Sequence, residues 1–171
     1  LKKLKTIKMK LVTSIGDSVF EGCESLENID FPSVITIGNN VFKNLKKLKT
    51  IKMKLVTSIG DSAFRNCNSL KTITLPKSVT VIGENAFNNC SVLIDVVINN
   101  NENLILNENI FSDCNYLKTI RFKNEYSAGL NLDKLFSSKM KLNILYDDTN
   151  EAVKSSWENV LKEFKDSKQF D

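Results

Sequence analysis

Four cysteines, Cys23, Cys67, Cys90 and Cys114, are the side chains of this 171-residue sequence with the widest chemistry open to them. As thiolates they ligate metal or attack electrophiles, and in pairs they close disulfides. The sequence contains no histidine. A Ser-His-Asp or Cys-His nucleophile pair is therefore excluded, together with His-ligated metal sites and a switch at the usual imidazole pKa. Neither GxGxxG nor GxxxxGK[ST] occurs among the six glycines, so no phosphate-cradling loop is indicated. No cluster of polar residues suggests a pocket, and the chain is expected to be non-enzymatic and to need no cofactor. The second chemistry on offer is positive charge. Residues 1–56 carry 11 lysines against 5 acids, whereas residues 57–116 carry 3 basic and 6 acidic groups.

What positions these side chains is an internal repeat. The stretch LKKLKTIKMKLVTSIGDS at 1–18 returns letter for letter at 45–62, and aligning Leu4, Leu26, Leu48, Leu70, Leu93 and Leu117 gives spacings of 22, 22, 22, 23 and 24. The shared template is L-x-x-I-x-[apolar], then V-x-x-I-G, then x-x-[A/V]-F-x-x-C-x-x-L. The 44-residue identity is two units copied together within a longer array, and a recent duplication is its simplest source. Cysteine spacings of 44, 23 and 24 follow the same period, and Leu45 fills the column in the second unit. A column that accepts Leu is apolar. Thiols in single file cannot converge on one tetrahedral ion, so inert core cysteines are expected, with a disulfide between adjacent units as the alternative.

Within a unit, Leu48, Ile51 and Met53 form one face of a short strand and Thr50, Lys52 and Lys54 the other. Val56 and Ile59 suggest a second apolar stretch. Gly60 is expected to need positive φ, and Asn107 in its column in the fifth unit fits a left-handed position. Ala63, Phe64, Cys67 and Leu70 fall at i, i+1, i+4 and i+7, which predicts about two turns of short helix. Asp61 or Ser62 is the expected cap. One such unit cannot bury its apolar face, so neighbours stack and columns become ladders, with Phe20, Phe42, Phe64, Phe87 and Phe111 in one of them.

The outward side of the first strand in each unit is where a ligand would be met. It offers Lys8 and Lys10, then Asp30, then Thr50, Lys52 and Lys54, then Thr72 and Thr74, and in the sixth unit Arg121 and Lys123. Two lysine bands flank Asp30, which suits an acidic protein patch or a sulfated glycan. The bland alternative is lysines that only keep an exposed sheet soluble. Nucleic acid is not expected, because the basic stripe is sparse and the aromatics fall in buried columns. Asn89-Cys90-Ser91 fits the N-glycosylation pattern but sits in a core column. No apolar run of about 18 residues occurs, so no membrane insertion is expected.

The recurring LKTI, LP and SIGDSAFRNCNSL elements, as in LKTITLPKSVTVIGENAFNNCSVL, resemble the leucine-rich repeat of the BspA type, also called the Treponema pallidum type. The resemblance covers about residues 1–146 and is strongest over 1–93. It implies an α/β repeat solenoid, a curved array of about six 22–25-residue units, in a protein that is cell-surface or secreted and takes part in adhesion. A structural spacer without a ligand of its own is the other role open to such an array. The fifth unit is expanded by an Asn-rich stretch, and the sixth keeps LKTIRF and Phe136 but loses the IG pair and the Cys. Residues 142–146 read as a further strand. Residues 149–166 read as an amphipathic helix with Val153, Trp157, Val160, Leu161 and Phe164 on one face, opened by Asp148 and Glu151 as a capping box. We expect 1–146 to be the solenoid, with repeats missing before Leu1, and 147–171 to be a capping helix of the same domain.

Overall fold

The computed structural model describes residues 3–99, 102–126, 130–135, 143–146 and 149–168. Each of the first five units contributes two short strands separated by a bend. The first strands are β1 (Thr6–Lys8), β3 (Asn28–Asp30), β5 (Thr50–Lys52), β7 (Thr72–Leu75), β9 (Asp95–Ile98) and β11 (Thr119–Phe122), followed by β12 (Asn143–Tyr146). The second strands are β2 (Ser14–Ile15), β4 (Thr36–Ile37), β6 (Ser58–Ile59), β8 (Val81–Ile82) and β10 (Ile105–Leu106). All pairing is parallel and joins one unit to the next, as in Ile7↔Ile29 and Ile29↔Ile51. The chain is a solenoid of about six turns closed by one helix, α1 (Glu151–Lys168).

The core runs between the two strand layers and the turns that follow them. Phe20, Phe42, Phe64, Phe87 and Phe111 stack in file, with ring centroids 5.9, 5.0, 4.9 and 5.5 Å apart. Leu26, Leu48, Leu70, Leu93 and Leu117 are buried in the neighbouring column. Burying such a side chain is worth about 1.5–3 kcal/mol against exposure, so the repeated columns supply most of the drive to stack. At the far end Trp157 of α1 is fully buried, 4.5 Å from the ring of Phe122 and edge-on to Tyr126, with its Nε1 donating to the Asn124 carbonyl at 2.8 Å.

Several local expectations are corrected. The segment from Asp61 to Leu70 holds no helix. It is a run of turns whose Ser62 and Asn66 have φ of 54° and 63°. Two left-handed columns recur through the array, Ser18, Asn40, Ser62, Asn85 and Asn109 in one, and Gly22, Asn44, Asn66, Asn89 and Asp113 in the other. Left-handed residues cannot continue a helix, so an apolar i, i+1, i+4, i+7 pattern here reports a tight coil corner. Gly60 does not have positive φ, and neither does Asn107. A Cβ on Gly60 would instead lie 2.5 Å from the carbonyl carbon of Gly38 in the preceding coil, so the glycine is there for close approach. At Asn107 the link to the preceding coil, from its N–H to the Ile82 carbonyl, is 3.1 Å, against 2.9 Å from Gly60 to Ile37. Asp61 caps nothing. Its carboxylate accepts the Glu84 N–H of the next coil at 2.8 Å, just as Asp17 serves Asn39 and Asn39 serves Asp61. The cap of α1 is Asn150, whose Oδ1 accepts the N–H groups of Ala152 and Val153. Asp148, Phe136 and residue 142 lie outside the described residues, as does the side chain of Phe164.

One discontinuity was not foreseen. The second strands form one unbroken sheet, but the first strands divide into β1-β3-β5 and β7-β9-β11-β12. The unit spacing changes just after this place, within the coil that β7 opens. The strands of the first group have three residues and those of the second have four. Strand β6 meets β8 as Ser58↔Val81, an offset of 23, whereas β4 meets β6 as Thr36↔Ser58, an offset of 22. The extra residue falls between β7 and β8. The coils stay stacked through the phenylalanine file and part at the first strand, leaving Ile51 half-buried where Ile29 and Ile73 are buried.

Candidate functional site

The split sorts the strand-face residues into two groups. On β1, β3 and β5 the register aligns Lys8, Asp30 and Lys52 in one ladder, with Thr6, Asn28 and Thr50 beside it. Successive strands stand about 4.8 Å apart, which sets Lys8 and Lys52 roughly 10 Å from each other across Asp30. The Lys8 ammonium lies 2.8 Å from the Asp30 carboxylate. That ammonium, together with Lys52 and Lys54, holds the Asp30 carboxyl below its ordinary range. Thr50 Oγ1 donates to Asn28 Oδ1 at 2.8 Å, so this hydroxyl is engaged within the sheet.

Lys10 and Lys54 stand beyond the ends of β1 and β5, in the bends that lead to Leu11 and Leu55. They flank the ladder. Lys10, Lys52 and Lys54 are exposed, and among the described residues none of them is in an ion pair. Three other acids of the early coils are spent along the edge, where Glu21, Glu24 and Glu27 each meet the lysine one coil later, at 3.1 Å from Lys43, 3.7 Å from Lys46 and 2.7 Å from Lys49, and Asp17 accepts the Asn39 N–H. Positive charge is thus left over on the face itself.

Thr72 and Thr74 belong to the other sheet. They are exposed and align with Asp95 and Val97, then with Thr119 and Arg121. Arg121 is half-buried between Val97 and Leu145, and Lys123 follows the end of β11. The structure therefore brings Lys8, Lys10, Asp30, Thr50, Lys52 and Lys54 into one patch. Thr72, Thr74 and Arg121 fall on the other sheet, with Lys123 just past its strand β11.

The cysteines take no part in the site. All four are free thiols, and Cys67, Cys90 and Cys114 are buried. Each of these three donates its S–H to a phenylalanine carbonyl of the preceding coil at 3.2 Å, Cys67 to Phe42, Cys90 to Phe64 and Cys114 to Phe87. Burial pushes the Cys67 and Cys90 thiols well up, away from the reactive thiolate. No group of His, Cys, Asp and Glu able to hold a metal ion occurs among the described residues. Asn89 is committed to a ladder in which its Nδ2 donates to Asn66 Oδ1 and the Nδ2 of Asn66 donates to Asn44 Oδ1. This asparagine file was missed. The recurrence of Asn every 22 or 23 residues, at 44, 66 and 89, was its signal.

With strand, turn and asparagine columns repeating at one period, the architecture is that of a leucine-rich repeat solenoid. The BspA-type leucine-rich repeat region matches residues 13–143 in six copies, and the chain belongs to that family. A T. pallidum leucine-rich repeat protein is similar at 29% identity and a TM-score of 0.58, covering 80% of this chain and 64% of its own. A leucine-rich cell surface protein of Faecalibacterium prausnitzii is similar at 26% identity and a TM-score of 0.66, covering 81% and 36%. The pneumococcal vaccine antigen PcpA shares the fold at 21% identity and a TM-score of 0.71, covering 90% and 39%. The chain thus spans less than two thirds of the length of each of these proteins. No curated protein matches it significantly. No helix among the described residues is long and apolar enough to cross a membrane.

Proposed function

We propose that this repeat array is a non-catalytic binding module of a cell-surface or secreted protein, and that the patch around Lys8, Asp30 and Lys52 receives an acidic ligand. The ligand is an acidic protein segment or an anionic glycan. The observation that carries this is the exposed state of Lys10, Lys52 and Lys54, none of them ion-paired among the described residues, beside an acid already neutralised by Lys8. Such a surplus raises the local concentration of anions and speeds their encounter, with strong sensitivity to salt. The description of the Faecalibacterium relative as a cell surface protein supports the location.

Lys10, Lys52 and Lys54 changed together to Glu, leaving the Lys8–Asp30 pair intact, test the proposal. Binding to immobilised heparin and to a polyglutamate peptide is expected to fall sharply, while stability changes by no more than about 0.5 kcal/mol, as for surface substitutions in general. Unchanged binding to both probes assigns the array to a spacer role.

A further inference from the structure

The gap between β5 and β7 exposes donors that every neighbouring junction uses. Where coils meet at the start of the first strands, two successive N–H groups converge on one carbonyl of the preceding coil. Glu27 and Asn28 donate to Lys5 at 2.8 and 3.1 Å, Lys49 and Thr50 to Glu27 at 2.8 and 3.2 Å, and Ile94 and Asp95 to Lys71 at 2.8 and 3.4 Å. The equivalent pair at the gap is Lys71 and Thr72, whose acceptor would be the Lys49 carbonyl. That contact is not made.

A cleft of about 430 Å³ adjoins this junction, lined by Lys49, Asn68, Ser69, Lys71 and Val92. Its two ammonium groups differ. Lys49 reaches back to Glu27 at 2.7 Å, whereas Lys71 is exposed and, among the described residues, unpaired. Ser69 already donates its hydroxyl to the Lys46 carbonyl. Lys71, which carries one of the two N–H groups left without that acceptor, lines the cleft, and Thr72 follows it directly in the chain. The Lys71 side chain is an exposed cation on the same lining. Paired backbone N–H groups in a concavity with nearby lysine are the elements of an anion nest.

We infer that this cleft is an oxyanion site, distinct from the strand-face patch, in which one oxygen of a carboxylate, sulfate or phosphate group takes the place of the missing Lys49 carbonyl. Lys71 supplies the charge, and Lys49 joins it when the anion competes with Glu27.

Isotope-labelled protein titrated with sulfate, phosphate and acetate, each at constant ionic strength held by chloride, tests this by amide NMR. The Lys71 and Thr72 resonances are expected to shift saturably with at least one oxyanion, and the rank of the three identifies the group. Lys71→Gln, a surface change that keeps the fold, is expected to weaken that binding by about tenfold or more, the range for losing one charged hydrogen bond. Hydrogen exchange at Lys71 and Thr72 as slow as at Ile94 and Asp95 would mean that the junction closes in solution, and the inference fails. It also fails if chloride alone reproduces the shifts, or if Lys71→Gln binds as well as the parent.

Discussion

Replacing Gly60 by alanine places a Cβ 2.5 Å from the carbonyl carbon of Gly38 and 2.6 Å from both the Gly38 carbonyl oxygen and Asn39 Oδ1. Two of these contacts are with backbone, and the coils are tied at this point by the bonds from Gly60 N–H to the Ile37 carbonyl and from Asp61 N–H to Asn39 Oδ1, at 2.9 and 2.8 Å. Neither coil gives way without loosening a ladder. Overpacking of this kind costs about 1–3 kcal/mol, and backbone on both sides of the contact argues for the upper end. For a chain of this size that corresponds to a fall in Tm of roughly 5–10 °C. Gly16 is the control. It ends the same sequence motif, in the first coil, and a Cβ there meets nothing within 4 Å. Gly16→Ala should therefore stay within about 0.5 kcal/mol of the parent. Thermal and urea unfolding of both variants, followed by circular dichroism, measures the difference. A requirement for a special φ would penalise both glycines, because both lie in the same stretch of identical sequence. Equal losses at Gly16 and Gly60 would refute the close-approach account.

Phe64→Ala removes a ring stacked at 5.0 Å on Phe42 and 4.9 Å on Phe87, and should cost about 3–5 kcal/mol in urea unfolding, more than Phe20→Ala at the first coil. Asn66→Ala, at φ 63° and in the middle of the asparagine file, should lower stability by roughly 1–2 kcal/mol, with Asn66→Gly recovering part of the loss. A thiol reagent applied to the native protein should label Cys23 readily and Cys67, Cys90 and Cys114 only on unfolding; mass spectrometry showing equal labelling would contradict their burial. Stability should be nearly flat between about pH 5 and 8, since no histidine titrates there. The Asp30, Glu21 and Glu27 carboxyls are held low in the folded chain by Lys8, Lys43 and Lys49, so their contribution is present above the ordinary carboxylate range. It is lost as pH falls below about 4. A urea midpoint that rises on acidification would reverse that sign.

The buried columns were legible because stacking makes each of them answer to one environment. Phe64 recurs as Phe in every full unit, and Leu45 standing where Cys67 stands identified the cysteine column as apolar before any geometry was known. The outward Lys8, Asp30 and Lys52 were placed correctly by simple alternation along a strand. The corner at Ala63 to Leu70 was not, because helical spacing and a tight coil corner both turn the same residues inward. Only the left-handed φ at Ser62 and Asn66 separates them. Gly60 misled in a related way, since a glycine looks the same whether it is needed for its φ or for its missing side chain.

By itself the sequence determined the period, the family, the inward columns and the charge of the exposed face, all of which follow from residue type repeated at a fixed interval. The tertiary structure decided what depends on the neighbour 22 or 23 residues away. It set the Gly38–Gly60 contact, the asparagine file and the carbonyl that each cysteine meets. It also decided the parting of β5 from β7. A single added residue between β7 and β8 is visible in the sequence. Yet β7, β9 and β11 stay paired at offsets of 23 and 24, so which junction parts is decided by contacts between coils that residue type and spacing do not record.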